Sequence, residues 1–159
     1  MLKIKIIAVG TLSEPHWRAA CDEYKKRLTG HAQLSEATLK EERLGQSPSD
    51  AEIARALDAE ALRIIAEIPK RALVVPLCVE GRQFSSPDLA RRLDSAAATH
   101  GEVCFIIGSS FGLSDKVKSL ADLKLSLSEL TFPHQLARVM LYETVYRCVS
   151  ILAGAKYHK

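Results

Sequence analysis

The run Val103–Leu113, VCFIIGSSFGL, decides the fold class. Its first five residues, Val103–Ile107, are all apolar and mostly β-branched or aromatic. A short continuous run of that kind reads as a strand covered on both faces. It opens onto a loop in which Gly108 and Gly112 bracket Ser109, Ser110 and Phe111, and a short helix is expected next, from Ser114 to Ala121. Two glycines and two serines let the backbone approach a ligand closely and offer several N–H donors. The run is not GxGxxG and no GK[ST] follows, so neither the dinucleotide fingerprint nor a P-loop is present. Alone, it serves equally well as a plain strand-to-helix turn.

Working outward, strand-like and helix-like segments alternate. Upstream, Ala72–Val79 is a valine-rich apolar strand, followed by a helix opened by Ser86 and Pro87 and closed by Gly101 after His100. Before it, Ala51–Ile68 reads as a helix with Ile53, Leu57, Leu62 and Ile65 at helical spacing, capped by Ser49 or Asp50 and stopped by Pro69. Glu41–Ser49 is the longest loop. The N-terminal third reads as strand Leu2–Val9, helix Trp17–Leu28 with Pro15 in its first turn, and a weaker strand Ala32–Leu39. Downstream, Leu123–Leu127 alternates like a strand, and a helix runs from Pro133, as its first residue, to Leu152. This alternation implies an α/β fold with a mainly parallel sheet, in one domain spanning residues 1–159. Ligands of such sheets bind outside the carboxyl ends of the strands, where Leu77–Gly81, Gly108–Leu113 and Leu127–His134 emerge.

Composition narrows the class. The chain has 159 residues, 47% apolar and 26% charged, so it can bury a core without disulfides or a structural metal. No apolar run approaches the ~18 residues of a membrane span, and MLKIKIIAVG lacks the h-region of a signal peptide. A cytoplasmic protein is expected. A net charge of +3 is too mild to announce nucleic-acid binding, though it allows local contact with RNA. Cys21, Cys78, Cys104 and Cys148 form no CxxC pair and read as small buried hydrophobes; no metal site is expected.

Two further runs carry chemistry. LSLSELTFPH, Leu125–His134, clusters Ser and Thr ahead of a proline-started helix. Such a cluster is either a set of capping hydroxyls or a loop whose backbone reads a purine ring. The last helix is apolar over more than one face, which in a short chain favours a second copy covering one side. Arg138, Glu143 and Arg147 interrupt it. The tail AKYHK brings together Tyr157 and His158, an aromatic and a histidine able to stack on and hydrogen-bond an RNA base, or simply a loose basic terminus.

Together these runs resemble the RlmH family of SPOUT methyltransferases, which methylate ring nitrogen 3 of a pseudouridine in large-subunit ribosomal RNA using S-adenosylmethionine. The likeness extends from AVGTL (Ala8–Leu12) through Trp17, Glu23–Tyr24 and Lys26–Leu28 to Leu77, Gly81, Ile107–Gly108 and Gly112–Leu113. It continues through Leu125–Ser126, Thr131–His134, Arg138, Glu143, Tyr146–Arg147 and Tyr157–His158. One departure stands out: the family's strand ends in Gly-Gly, whereas Ser109 follows Gly108 here.

The resemblance implies an α/β knot at the C-terminus and a homodimer. It implies cofactor contacts at Leu77, Gly108, Leu127, Ser128, Glu129, Leu130, Thr131 and Phe132, with glycine required at 108 to admit the ligand. For catalysis it implies Arg138 as electrostatic stabiliser, with Tyr157 and His158 supplied by the second subunit; His134 is either a further candidate or a helix cap. The implied partner is ribosomal RNA, recognised on the assembled ribosome. The residues by themselves also allow a nucleotide-binding domain acting on a small metabolite, or a non-catalytic RNA-binding module.

Overall fold

The computed structural model describes residues 1–158, except the side chain of the last of these. Four strands form one sheet: β1 (Leu2–Val9), β2 (Ala32–Leu39), β3 (Leu73–Arg82) and β4 (Val103–Ile107). Five helices connect and cover them: α1 (Pro15–Leu28), α2 (Asp50–Glu67), α3 (Ser86–His100), α4 (Asp115–Lys118) and α5 (His134–Leu152). A 3-10 turn, Lys156–His158, follows α5. The strand order is β2-β1-β4-β3, and every pair is parallel. An α/β fold with a parallel sheet is therefore present.

Period-2 alternation sorts the strand residues onto two faces. Ile4, Ile6 and Ala8 of β1, with Val103, Phe105 and Ile107 of β4, point toward α1, α3 and α5. Ile7, Val9, Cys104 and Ile106 point the other way, toward Ala61 and Ile64 of α2 and Val117 of α4. β4 and the second half of β1 are apolar on both sides because helices cover both sides. Burial of each large side chain contributes roughly 1.5–3 kcal/mol. Cys21, Cys104 and Cys148 sit in these clusters as hydrophobes, and all four cysteines are free. Desolvation pushes the Cys104 and Cys148 thiols up to about 12.

Several element boundaries differ from expectation. In α2 the capping box of Ser49 and Glu52 starts the helix at Asp50. Its buried face is rotated from the one expected: Leu62 and Ile65 are exposed, and Glu60, Ala61 and Ile64 are buried. α4 is only Asp115–Lys118, with Ser114 as its N-cap. Pro133 is the N-cap of α5 rather than its first residue; its ψ of 142° is extended, and its carbonyl accepts from the Ala137 amide at 3.0 Å.

The expected strand Leu123–Leu127 is not formed. Leu125 alone bridges, to Leu77 and to Arg82 of β3. Two bridges to one residue from positions five apart mean that β3 curls over this segment, which leaves no straight partner for a ladder. Beyond Pro76, where the pairing with β4 ends, β3 turns to exchange bonds with 124–126. A Cβ on Gly81 would lie 2.7 Å from the Lys124 carbonyl oxygen, so only glycine allows the two backbones this close. Among the described residues, no helix is long and apolar enough to cross a membrane.

Candidate functional site

The curl of β3 and the exit of β4 leave a cleft of about 710 Å³ beyond the last β3–β4 pair, Pro76 and Ile106, with Leu77–Val79 of β3 in its wall. Of the residues expected to contact a cofactor, Leu77, Gly108, Leu127, Ser128, Leu130, Thr131 and Phe132 line it together. Glu129 does not line it and is exposed. The 126–130 turn is held by its own serines, with the Ser126 hydroxyl donating to the Ser128 carbonyl at 2.9 Å and the Leu130 amide donating to the Ser128 hydroxyl at 3.0 Å.

Gly108 is required for a reason beyond the one expected. A Cβ there would lie 2.5 Å from the carbonyl carbon of Gly112 and closer still to its oxygen. The loop folds back on itself, and the Gly112 amide donates to the Ser109 carbonyl at 2.9 Å. The chain itself excludes a side chain at this position before any ligand does. Ser109 is not strained either, since Arg71 is the non-glycine residue with positive φ among the described residues. The serine that departs from the family pattern sits in backbone open to any residue.

Ser109 lines the cleft, and its side chain is bonded to a residue outside that lining. Its hydroxyl donates to Glu60 Oε1 at 2.8 Å. Glu60 is 3% exposed, and its other oxygen accepts from the Glu42 amide at 2.9 Å. Burial pushes this carboxyl above the usual carboxylate range; the Ser109 hydrogen bond opposes the rise and the nearby Glu41 charge adds to it. The sequence held a signal: Ile53, Leu57, Glu60 and Ile64 are spaced along one helical stripe, which places an acid among apolar residues.

A second cleft, of about 790 Å³, lies beside the first and shares His134 and Gln135 with it. Its walls include Gly10, Thr38 and residues 40–45, together with Phe111 from the glycine loop. Behind it lies Arg138, 7% exposed, which donates to the Gly10 carbonyl at 3.0 Å and to the Thr38 hydroxyl at 2.8 Å. Arg138 thus ties α5 to the ends of β1 and β2 and does not line the first cleft. His134 begins α5 without a capping side-chain bond and faces both clefts.

Tyr157 packs edge-on against Tyr146, with ring centroids 4.7 Å apart and the Arg147 guanidinium 4.8 Å from its own ring. It lies against its own α5, away from both clefts, so the tail is docked as far as that residue. The side chain of His158 lies outside the described residues.

A family model described as "Predicted SPOUT methyltransferase" matches residues 2–158. The chain belongs to the SPOUT methyltransferases. It is 43% identical over 156 residues to the ribosomal RNA large subunit methyltransferase H of Caldicellulosiruptor bescii, covering 98% of this chain and 99% of that one. It is 40% identical over 159 residues to the protein of the same name from Streptococcus thermophilus, covering 99% and 100%. Among solved structures, the SpoU methyltransferase AviRb from Streptomyces viridochromogenes, in complex with AdoMet, is similar at a TM-score of 0.45 and 14% identity, covering 96% of this chain and 58% of that one.

The methyl donor of this enzyme class is S-adenosylmethionine, and the first cleft fits it. None of the lining residues is Lys, Arg, Asp or Glu. Walls of that kind offer nothing to a triphosphate, whose charge calls for cations or a phosphate loop. They suit an adenine held by leucines and backbone groups, with no cation to repel a sulfonium. A cleft of this volume is also of the size that takes a ligand of a few hundred daltons.

Proposed function

We propose that residues 1–159 act as one domain that transfers a methyl group from S-adenosylmethionine, bound in the first cleft, to ring nitrogen 3 of a pseudouridine in large-subunit ribosomal RNA. The observation that carries the reading is the convergence of Leu77, Gly108, Leu127, Ser128 and Leu130–Phe132 on one uncharged cleft at the strand ends. The donor supplies an electrophilic methyl group on a positively charged sulfur. The chain's part is positioning, the main source of rate when two reactants must meet in line. Leu77 and Leu127 offer apolar faces to the adenine, and backbone groups of 108–112 and 127–132 hold the rest.

The acceptor nitrogen must lose its proton, and a fixed positive charge favours the resulting anion. Arg138 provides that charge behind Gly10 and Thr38, its guanidinium held in place by two hydrogen bonds. Tyr157 and His158 from a second copy complete the acceptor side. Two features support a homodimer: Leu136 and Met140, half-buried one turn apart on α5, lie outside the core cluster, and Leu130 at the cleft mouth is 69% exposed. The passage of 122–127 beneath the curl of β3 supports a knotted C-terminus, and a ribosomal RNA substrate is the ground for placing the enzyme's work in the cytoplasm.

With a net charge of only +3, affinity for free RNA is weak and the assembled ribosome is the preferred substrate. The test is methylation by the purified protein of ribosomes lacking the modification, with mass mapping of the product nucleoside. Transfer to a pseudouridine N3 on ribosomes, faster than on naked RNA, is expected. Donor uptake with no methyl transfer to either substrate would remove this function.

A further inference from the structure

Loop 108–112 is a partition. Ser109 and Ser110 line the first cleft, and Phe111 lines the second. On its far side stands loop 40–45, the outer wall of the second cleft. Two contacts join partition to wall: the Ser110 hydroxyl donates to Glu41 Oε1 at 3.2 Å, and the Glu60 carboxylate accepts from Ser109 on one oxygen and from the Glu42 amide on the other. Arg63, one turn along α2, adds a clamp by donating to the Lys40 carbonyl at 2.6 Å and pairing with the Glu42 carboxylate. Arg63 is therefore committed to the wall, and no ion pair reaches Glu60 among the described residues.

A buried carboxyl without a cation is costly, and a leucine in its place would serve the helix better. What the carboxyl provides is two acceptors held in one rigid group, each satisfied by a different loop. We propose that Glu60 is a positioning residue which couples the two clefts, so that a ligand ordering loop 108–112 also orders wall 40–45. Resting on the donor reading of the first cleft, this assigns the second cleft to the acceptor: it adjoins the donor across His134 and Gln135, and donor binding sets its wall. The Ser109 hydroxyl, absent from a Gly-Gly loop, is half of the connection.

The experiment is amide hydrogen exchange on the full chain with and without S-adenosylhomocysteine as probe, alongside calorimetry. In the parent protein the probe slows exchange at 108–112 and also at 40–45. In Ser109→Ala and Glu60→Ala, protection at 108–112 persists while that at 40–45 falls well below the parent's, the Ser110–Glu41 bond holding what remains, and probe affinity drops roughly fivefold, as for loss of one hydrogen bond. Glu60→Gln restores the coupling, because its carbonyl can accept from Glu42 while its amide donates to Ser109. Rescue by the amide is a result that a merely space-filling role would not require, and Ser109→Ala provides the test if Glu60→Ala does not fold.

Probe uptake that leaves 40–45 unprotected in the parent, or equally protected in Ser109→Ala, overturns the coupling and leaves the donor site standing. A parent protein that takes up no probe overturns the donor site, and the coupling with it.

Discussion

Replacing Gly108 with alanine tests the central feature of the site. The added Cβ would sit 2.5 Å from the Gly112 carbonyl carbon, against an ordinary contact of 3.4–4 Å, so the loop must open by about 1 Å. Backbone on both sides of the clash leaves no flexible side chain to yield. Overpacking of this kind costs roughly 1–3 kcal/mol, and loss of the Gly112-to-Ser109 backbone bond adds about 1 kcal/mol. At ~2–4 °C per kcal/mol for a chain of this length, the melting temperature should fall by roughly 5–15 °C. Donor affinity should fall by about tenfold or more, because the same displacement moves the groups that hold the ligand.

Differential scanning calorimetry and titration of S-adenosylmethionine read the two effects separately. Gly30→Ala is the control. Its φ of +90° makes alanine strained, but nothing lies within 4 Å of the new Cβ and the position is outside both clefts. It should lose stability, by about 1–2 kcal/mol, and keep its donor affinity. A folded Gly108→Ala protein binding the donor as tightly as the parent would refute the reasoning.

Arg138→Met removes both bonds to Gly10 and Thr38 and should cost about 2–4 kcal/mol in urea unfolding; Arg138→Lys should not rescue it, since one ammonium cannot replace a planar fork. Glu60 holds more protons folded than unfolded above its ordinary value of 4.5, because burial raises its pKa. Its contribution to stability is therefore largest at low pH and declines as pH rises through the raised value; Glu60→Gln should flatten that decline in melting temperature measured from pH 4.5 upward. Leu136→Glu with Met140→Glu should halve the mass seen in sedimentation and abolish methyl transfer while leaving the melting curve cooperative, if a second copy covers that stripe.

The elements of this fold whose character is local were legible in the chain. The boundaries of β1, β2 and β4 follow from apolar runs and alternation residue by residue; the opening of α2 follows from the Ser49 cap and that of α3 from Ser86 and Pro87, whereas the Ser85 cap of α3 came from the structure. The loops that build the cleft were marked by their small residues after an apolar strand, but those residues alone left a plain turn open, and a binding role was implied only by the family resemblance.

Tertiary structure decided what depends on which segments cross. The alternation of Leu123–Leu127 promised a strand, yet β3 curls over it and leaves a single bridged residue. Glycine 108 was legible as necessary, but its clash partner, Gly112, appears only once the loop has closed. Glu60 stands out in the chain as an acid on an apolar helical stripe, but only packing brings two loops to its two oxygens. Periodicity reports which face of an element is apolar. It carries no information about which backbone will meet that face, and the coupling of the two clefts arises from that meeting.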